Sequence, residues 1–247
     1  MDLKENIDPN NLPAHIAVIM DGNGRWAKKK GAARLFGHQS AVKSVREITE
    51  GCAELGVQYL TLYAFSTENW SRPKLEVDGL MRLLVSSIRK EITTLQDNDV
   101  RLTAIGNLSN LPKICQQELD EAMESTKDNQ KLQLTLALSY SGRWELIEAI
   151  KTLTEDVKIG RVDISEIDED LFAGYLETRA IPDPELLIRT SGEMRISNFL
   201  LWQIAYTELF MTEVLWPDFR KQHLYQAILA YQSRERRFGK ISEQVNT

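Results

Sequence analysis

The chain has 247 residues, of which 43% are hydrophobic, and its 36 acidic residues outnumber its 30 basic residues, giving a net charge of −6. This length fits one large domain or two small ones, and the apolar content excludes a disordered chain. The acidic balance argues against a general nucleic-acid-binding protein. Because the two cysteines, Cys52 and Cys115, lie far apart in helix-like stretches, we expect neither a disulfide framework nor a paired-cysteine metal site.

Targeting and membrane-spanning signals are not expected in this sequence. Residues 1–13 are polar and lack the apolar core of a signal peptide, and no stretch approaches the roughly 20 apolar residues that span a bilayer. We therefore expect a reduced, cytoplasmic protein that is at most peripheral to a membrane. Its predicted organisation is a flexible N-terminal segment at 1–13, a single folded domain over 14–240 and a C-terminal tail at 241–247.

Short apolar runs alternate with segments of helical period along the chain. The runs predict strands at 16–20, 59–65, 101–105, 132–138 and 186–189, and apolar residues at three- and four-residue spacing predict helices over 42–55, 77–95, 144–153 and 224–231. The segment 204–210 favours a sixth strand, with a helix as the alternative. This alternation predicts an α/β fold: a single domain with a central, mostly parallel six-stranded sheet flanked by helices.

Polar, small and cationic residues follow directly behind four of the predicted strands. In parallel sheets, ligands bind beyond the carboxyl ends of the strands, so these loops are the places to look for a site. They are residues 21–26, 66–73, 139–143 and 189–192.

The first loop points most clearly to a ligand. Asp21 follows five apolar residues, Gly22 and Gly24 allow the backbone to approach a ligand closely, and Arg25 adds a guanidinium suited to phosphate. An anionic ligand beside a carboxylate implies a bridging Mg²⁺. The alternative is an ordinary turn in which Asp21 caps a helix.

Local charge favours a polyphosphate ligand. Between positions 21 and 46 there are seven Lys or Arg residues and one acidic residue, in a chain that is acidic overall. Nucleic acid is the competing polyanion, but the loops lack a basic stripe interleaved with aromatic residues. His38 lies close behind the basic loop, whereas His15 and His223 are interpreted as ordinary structural histidines.

Several standard chemistries are excluded by their missing motifs. The sequence contains no phosphate-binding loop ending in Gly-Lys-Ser/Thr, no three-glycine dinucleotide fingerprint and no Gly-x-Ser-x-Gly elbow. An aspartate-nucleophile phosphatase of the haloacid-dehalogenase type would place a second acid two residues after the first. Asn23 stands at that position, which removes the usual acid/base and disfavours this alternative.

Three long motifs resemble those of the cis-prenyltransferases, the family of bacterial undecaprenyl diphosphate synthase. They are residues 19–27 (IMDGNGRWA), 65–73 (FSTENWSRP) and 189–203 (RTSGEMRISNFLLWQ), and shorter matches extend the resemblance to about 15–239. The resemblance implies an Mg²⁺-dependent homodimeric enzyme that condenses isopentenyl diphosphate repeatedly onto farnesyl diphosphate. Its long-chain polyprenyl diphosphate would be the precursor of the lipid carrier for cell-wall polysaccharide.

The resemblance also implies roles for individual residues. Asp21 would be catalytic and hold Mg²⁺, Glu208 would be a second metal ligand, and Asn69 matches the position that the family assigns to proton acceptance. The predicted allylic-diphosphate residues are Gly22, Asn23, Gly24, Arg25, Arg34 and His38, with Trp26 near the chain. Residues lining the site are Ser66, Thr67, Glu68, Trp70 and Arg72, and those matching the isopentenyl diphosphate pocket are Arg189, Arg195, Ile196 and Ser197.

Some points remain open at this stage. An amide is a weak base, so a diphosphate oxygen, or Asp21 through water, is a better proton acceptor than Asn69. The apolar stripe of Leu80, Leu84, Ile88 and Ile92, facing Leu132, Leu134, Leu136 and Leu138, is either plain core or the wall of a tunnel for the product. The segment 234–237 either completes a partner's site or forms a surface anion patch.

Two departures from the family pattern and one further alternative complete the analysis. Ser141 stands where relatives often have glycine, which makes a positive φ costly there, and Met194 replaces a histidine that serves some relatives as a metal ligand. A non-catalytic prenyltransferase subunit would lack the metal-binding and basic residues, whereas Asp21, Arg25 and Arg189 are all present.

Overall fold

The computed structural model describes residues 3–236. Within this range six strands form one sheet in the order β3-β4-β2-β1-β5-β6, and every pair of neighbours is parallel. The strands are β1 His15–Ile19, β2 Tyr59–Ser66, β3 Val100–Ile105, β4 Leu132–Tyr140, β5 Leu186–Arg189 and β6 Glu208–Met211. The predicted six-stranded α/β domain is therefore confirmed, and the sheet is wholly parallel. The predicted tail at 241–247 lies outside the described residues.

Seven α-helices cover the sheet in the part of the chain that the structure describes. They are α1 Asn23–Lys29, α2 Arg34–Leu55, α3 Lys74–Asp97, α4 Lys113–Thr126, α5 Gly142–Lys158, α6 Glu169–Ala173 and α7 Lys221–Gln232. The sequence analysis gave no bounds for α1, α4 or α6, although it placed Cys115 of α4 in a helix-like stretch. Helix α4 buries Cys115, Leu119 and Ala122, so its apolar face exists but contains few large side chains. The short α1 and α6 offer too few turns for a periodic signal.

The central strands are buried on both faces. All five residues of β1 are buried, and they alternate between two apolar clusters. Ile16 and Val18 belong to a large cluster that includes residues of α2, α3, α4 and α7, whereas Ala17 and Ile19 pack with Leu187, Phe199 and other residues of a smaller one. Helices on both faces explain why β1 is a continuous apolar run rather than an alternating one.

The sheet order places four of the predicted loops side by side. Strands β4, β2, β1 and β5 are consecutive neighbours, so the loops after them meet at one edge of the sheet. The strand order reverses at β1: the chain runs from β1 to β2 on one side of it and later crosses from β4 to β5 on its other side. Crevices at such a reversal of strand order are the usual ligand sites of open parallel sheets.

The N-terminal segment packs on the domain instead of extending away from it. Ile7 is buried in the large apolar cluster, and the Gln232 side chain of α7 donates hydrogen bonds to the carbonyl oxygens of Asp8 and Asn11. The described part of the predicted flexible segment at 1–13 thus packs on the domain, with Leu3, Ile7 and Leu12 against the large apolar cluster. No helix among residues 3–236 has the length and apolarity required to traverse a membrane.

Candidate active site

Asp21 lies at the carboxyl end of β1, beside two arginines. Its Oδ2 accepts a hydrogen bond of 3.0 Å from Arg189 and lies 3.5 Å from the Arg25 guanidinium, and its Oδ1 accepts one of 2.6 Å from the Gly22 amide. Burial alone would raise the pKa of this carboxyl group, but the hydrogen bonds from Arg189 and Gly22 outweigh it and lower the pKa. Asp21 is therefore a charged carboxylate at neutral pH.

The backbone at Gly22 requires glycine. Its φ is 104°, and a Cβ there would lie 2.9 Å from a Leu215 side-chain carbon and 3.1 Å from Ser191 Cβ. Gly22, not Asp21, is the residue that precedes α1, and no side chain caps this helix. The structure thus decides against an ordinary turn with Asp21 as the cap, since the Asp21 carboxylate is engaged by arginines.

An elongated cavity of about 280 Å³ begins beside Asp21 and runs between the sheet and helices α2 and α3. Among the residues that line its mouth are seven predicted site residues besides Asp21: Gly22, Asn23, Gly24, Arg34, His38, Asn69 and Arg72. The guanidinium groups of Arg34 and Arg72 both lie 3.3 Å from Glu76. The mouth therefore gathers cations around one end of the cavity. We call the seven residues at the mouth, Gly22, Asn23, Gly24, Arg34, His38, Asn69 and Arg72, the cavity-side cluster.

His38 is a neutral donor within the cavity-side cluster. Burial, together with the nearby charges of Arg72 and Arg34, lowers the pKa of His38 to about 4. Its Nδ1 lies 3.4 Å from the Asn23 side-chain nitrogen, which is only a donor, so we assign the hydrogen of the neutral ring to Nε2.

Two buried polar atoms of this cluster have no partner among the described residues. They are Nε2 of His38 and Oδ1 of Asn23. An unpaired buried polar atom costs about 1–3 kcal/mol, so such atoms are typical of a site whose partners arrive with a ligand. The Nε2–H group suits an oxyanion.

The body of the cavity is mostly apolar, although polar residues such as Arg46, Ser87 and Glu91 also line it. Six of the eight residues predicted to form a tunnel wall line it: Leu80, Leu84, Ile88, Leu134, Leu136 and Leu138. The other two, Ile92 and Leu132, belong to the apolar core instead. The stripe is therefore both core and cavity wall, and a hydrocarbon chain fits this lining by its chemistry.

A second cluster occupies the other side of Asp21, on the loop after β5. The Arg189 side chain is only 3% exposed, and its Nη1 donates to Ser197 Oγ at 2.6 Å and to the Arg195 carbonyl oxygen. Arg195 in turn pairs with Glu193 at 2.5 Å, and Arg25 lies 3.1 Å from the same carboxylate. We call Arg25, Arg189, Glu193, Arg195 and Ser197 the loop-side cluster. Asp21 thus pairs with two arginines of the loop-side cluster, Arg25 and Arg189, and also lines the mouth of the cavity beside the cavity-side cluster.

The chain segment that carries most of the loop-side cluster, residues 189–200, has a strained backbone. Four of its non-glycine residues have positive φ values: Ser191 (78°), Ser197 (49°), Asn198 (62°) and Leu200 (47°). Each such residue costs on the order of 1–3 kcal/mol, and such strain concentrates at functional sites.

The turn after β2 connects to this loop. Glu68 accepts a hydrogen bond of 2.8 Å from the Asn198 side chain, and Thr67 Oγ1 donates one of 2.8 Å to Ser141 Oγ. Ser141 has a φ of −157°, so the serine that departs from the family pattern introduces no strain. Asn69 Oδ1 accepts a bond of 3.1 Å from the Ser66 amide, and this amide oxygen is therefore already engaged.

Two predicted tryptophans lie outside the cavity lining. Trp26 donates from Nε1 to Asp218 at 2.8 Å and packs against Phe36. Trp70 donates to Ser139 Oγ at 2.9 Å and contacts the Phe65 ring edge-on. Each tryptophan therefore holds a neighbouring segment in place, Trp26 at Asp218 and Trp70 at Ser139. Ile196, predicted for the isopentenyl diphosphate pocket, packs against the smaller apolar cluster.

Glu208 does not reach Asp21 within one chain. It begins β6 opposite Leu186, which is opposite Ile16, five residues before Asp21. At about 3.3 Å per residue, this separates the two carboxylates by roughly 16 Å along the sheet. Glu208 instead pairs with Arg234 at 2.7 Å. The predicted pair of metal ligands is therefore not formed in the protomer, because β6 starts at this residue instead of ending near it.

The sequence analysis missed three residues that organise the site. Glu76 pairs with both arginines of the cavity mouth, Glu193 joins Arg25 to Arg195, and Ser191 accepts two hydrogen bonds from Arg25. Glu193 and Ser191 lie inside the third motif, so the signal was present. Glu76 follows Arg72 by four residues, but Arg72 precedes helix α3 in extended backbone, so helical spacing gave no signal for this pair.

Comparison with known proteins identifies the family. The family described as "Putative undecaprenyl diphosphate synthase" matches residues 19–239. The chain belongs to this family. It is 53% identical over 236 residues to the isoprenyl transferase of Chlorobaculum tepidum, covering 96% of this chain and 89% of that protein. It is also 47% identical to the farnesyl-diphosphate-specific ditrans,polycis-undecaprenyl-diphosphate synthase of Pasteurella multocida, over 96% and 99% of the two chains.

Solved structures of the family agree with the fold. Lavandulyl diphosphate synthase from Lavandula x intermedia, in complex with dimethylallyl diphosphate, superposes with a TM-score of 0.91 at 36% identity, covering 94% of this chain and all of that one. A probable undecaprenyl diphosphate synthase from Campylobacter jejuni gives a TM-score of 0.77 at 35% identity, covering 93% of this chain and 100% of its own. The chain is an undecaprenyl diphosphate synthase-type cis-prenyltransferase. Family membership disfavours the phosphatase alternative.

Proposed function

We propose that this enzyme condenses isopentenyl diphosphate sequentially onto farnesyl diphosphate, with Mg²⁺, to give a long-chain polyprenyl diphosphate, by preference undecaprenyl diphosphate. The observation that supports this most directly is the position of Asp21. It pairs with Arg25 and Arg189 of the loop-side cluster, and it lines the mouth of the mostly apolar cavity together with Arg34 and Arg72 of the cavity-side cluster. Two anionic substrates meeting at one carboxylate, with room for one hydrocarbon chain, match a condensation of two prenyl diphosphates.

Each substrate has a cluster that suits it. In this proposal the allylic diphosphate binds the cavity-side cluster, where Arg34, Arg72 and the His38 Nε2–H group face an anion and the chain enters the cavity. Isopentenyl diphosphate binds the loop-side cluster through Arg189, Arg195 and Ser197. A short homoallylic chain needs no tunnel, and this cluster lies outside the cavity lining.

The chemistry follows from where charge develops. Breaking the allylic C–O bond leaves negative charge on the departing diphosphate, and the fixed arginines at the cavity mouth stabilise it. The attacking alkene needs only correct positioning, and the product then loses one proton. Because Asn69 Oδ1 already accepts a hydrogen bond from Ser66, we assign the proton to a diphosphate oxygen or, through water, to Asp21.

Mg²⁺ fits the donor set at Asp21. This carboxylate is ionised and half-exposed, and residues 3–236 contain no cluster of three or more acidic, histidine or cysteine residues that would hold a metal by themselves. Mg²⁺ prefers oxygen ligands, retains several waters and commonly binds through one carboxylate and substrate phosphates. When bound, it would neutralise charge on the leaving diphosphate.

The proposal extends to assembly and location. Four large apolar side chains of α5 and the β6 edge are strongly exposed: Ile147 (52%), Ile150 (49%), Tyr206 (73%) and Leu209 (40%). We propose that this face forms a homodimer. We also propose a cytoplasmic enzyme that contacts the inner face of the membrane through its lipid product, which would serve as precursor of the carrier for cell-wall polysaccharide.

The test is a labelled condensation assay on the purified chain. We expect isopentenyl diphosphate to be incorporated into long-chain product in the presence of farnesyl diphosphate and Mg²⁺, and sizing of the dephosphorylated product gives its length. Phosphate release from simple phosphoesters without elongation would support a phosphatase instead. No incorporation by the chain alone, with activity restored by a second protein, would indicate a non-catalytic subunit.

A further inference from the structure

Helices α2 and α3 form the outer wall of the cavity and are joined at two levels. Near the mouth, Leu35 packs against Gly79, where an added Cβ would lie 3.2 Å from it, and Arg34 pairs with Glu76. Deeper along the cavity, Arg46 of α2 binds Glu91 of α3 through two parallel hydrogen bonds, Nε to Oε2 at 2.8 Å and Nη2 to Oε1 at 2.7 Å. Such a fork-to-carboxylate pair is the most directional ion pair in proteins.

Between these two contacts the cavity is lined by residues that are only partly buried: Val42, Val45, Leu83, Leu84 and Ser87. Helix α2 also packs less closely against α3 than α4 does. The line along which α2 and α3 face each other, which we call the seam, is therefore not closed by apolar packing along its whole length.

The Arg46–Glu91 pair belongs to the cavity and not only to the outer surface. Both residues line it, and the Glu91 side chain is only 16% exposed. The twelve residues from Arg34 to Arg46 correspond to about 18 Å of helix, roughly the extended length of three or four isoprene units. A chain the length of the starting substrate ends near this level, whereas an elongated one passes it.

We propose that the Arg46–Glu91 pair is a clasp that holds the seam closed against the growing chain and so helps to set product length. The inference rests on the proposed function and deepens it, by naming a length-determining pair on the helices. A hydrocarbon end cannot replace the two charge-assisted hydrogen bonds of the clasp. With the clasp intact the chain stays confined, and without it the chain end passes between the helices and elongation continues.

The experiment compares product lengths after removal and reversal of the clasp. Arg46→Met keeps most of the side-chain volume and removes the charge, and Glu91→Gln removes the opposite charge. We expect each to raise the ratio of products longer than the wild-type main product to that product at least about threefold, normalised to total isopentenyl diphosphate incorporated. The double variant Arg46→Glu with Glu91→Arg should return the ratio to near the wild-type value, because it restores the pair with reversed sign.

The matched control removes another ion pair of the same helix. Arg89 of α3 pairs with Glu118 of α4, and neither residue lines the cavity. Arg89→Met should leave the product distribution unchanged. The clasp is refuted if Arg46→Met gives the wild-type distribution, if Arg89→Met changes it equally, or if charge reversal fails to restore it. Absence of incorporation by the wild-type chain would instead reject the proposed function, so the two failures are distinguishable.

Discussion

The two sides of Asp21 are built from different kinds of structure. Four residues of the cavity-side cluster, Asn23, Gly24, Arg34 and His38, lie on the regular helices α1 and α2, and the cluster contains buried polar atoms without described partners, at Asn23 and His38. Most polar groups of the loop-side cluster are already bonded within it, through Glu193, Ser197 and backbone carbonyl groups, and its backbone is strained. The cavity-side cluster thus has two unpartnered buried atoms beside arginines that pair with Glu76, whereas the loop-side cluster bonds most of its groups internally and leaves the Arg189 Nε without a partner among the described residues.

This difference fits a division of labour between the substrates. In the proposed repeated condensation the growing chain would occupy the cavity, which favours a rigid site on helices. Isopentenyl diphosphate must enter anew for each condensation, which favours a loop whose internal ion pairs exchange for the substrate's oxygens at small net cost. Variants on each side of Asp21 test whether the two clusters bind different substrates.

The largest effect is expected at the residue that both sides share. Asp21→Ala should reduce incorporation by at least about 10³-fold, because it removes the carboxylate that pairs with both arginines and suits the metal. Since the buried Arg189 charge would lose its partner, Asp21→Asn serves as the isosteric second variant. Circular dichroism checks the fold of each. A folded Asp21→Asn variant with full turnover would contradict the role of the carboxylate.

Two exposed arginines separate the two sides kinetically. The Arg34 and Arg195 side chains are 55% and 60% exposed, so their removal disturbs packing to a similar extent. Arg34→Ala should raise the KM for the allylic substrate about tenfold, and Arg195→Ala should do the same for isopentenyl diphosphate, since each loses one charge-assisted hydrogen bond to a diphosphate. Steady-state kinetics with each substrate varied in turn measures both. If both variants raise the same KM, the assignment of the clusters fails.

Much of this arrangement was predictable from local sequence patterns. Apolar runs marked the strands, and parallel topology predicted that the loops after them would meet at Asp21. What could not be predicted depends on tertiary placement. Glu208 sits at the start of β6 because residues 201–206 form turns before it, and its distance from Asp21 follows from strand register. Partners such as Glu193 and Glu76 become visible only when the loops and helices meet.

A smaller, selective effect is expected in the cavity. Ala64 lines it at an irregularity of strand β2, between Tyr63 and Phe65. Ala64→Leu should fill part of this space and shorten the main product, raising the ratio of shorter to full-length chains at least about twofold in thin-layer chromatography. Ala230→Leu on α7, away from the cavity lining, is the matched control. Unchanged chain length in the Ala64 variant would refute the cavity as the path of the product.

The smallest expected effect is a change in the pKa of one of two histidines, which have the same low pKa but different surroundings. Burial lowers the pKa of both His15 and His38 to about 4. His15 has both ring nitrogens bonded, to the Pro182 carbonyl oxygen at 2.6 Å and Thr61 Oγ1 at 2.8 Å, whereas His38 Nε2 has no partner in the described structure. An anion beside a histidine stabilises the protonated ring and raises its pKa.

Inorganic diphosphate should therefore raise the pKa of His38 by about one pH unit or more and leave that of His15 almost unchanged, as followed by NMR titration of the ring protons. Linkage then requires diphosphate to bind more tightly as the pH falls through the interval between the free and bound pKa values of His38, by about tenfold for each pH unit of that interval. His38→Gln assigns the signal and should abolish this pH dependence. Equal changes in the pKa of both histidines, or none at His38, would place the diphosphate elsewhere and remove the distinction between the two sides of Asp21.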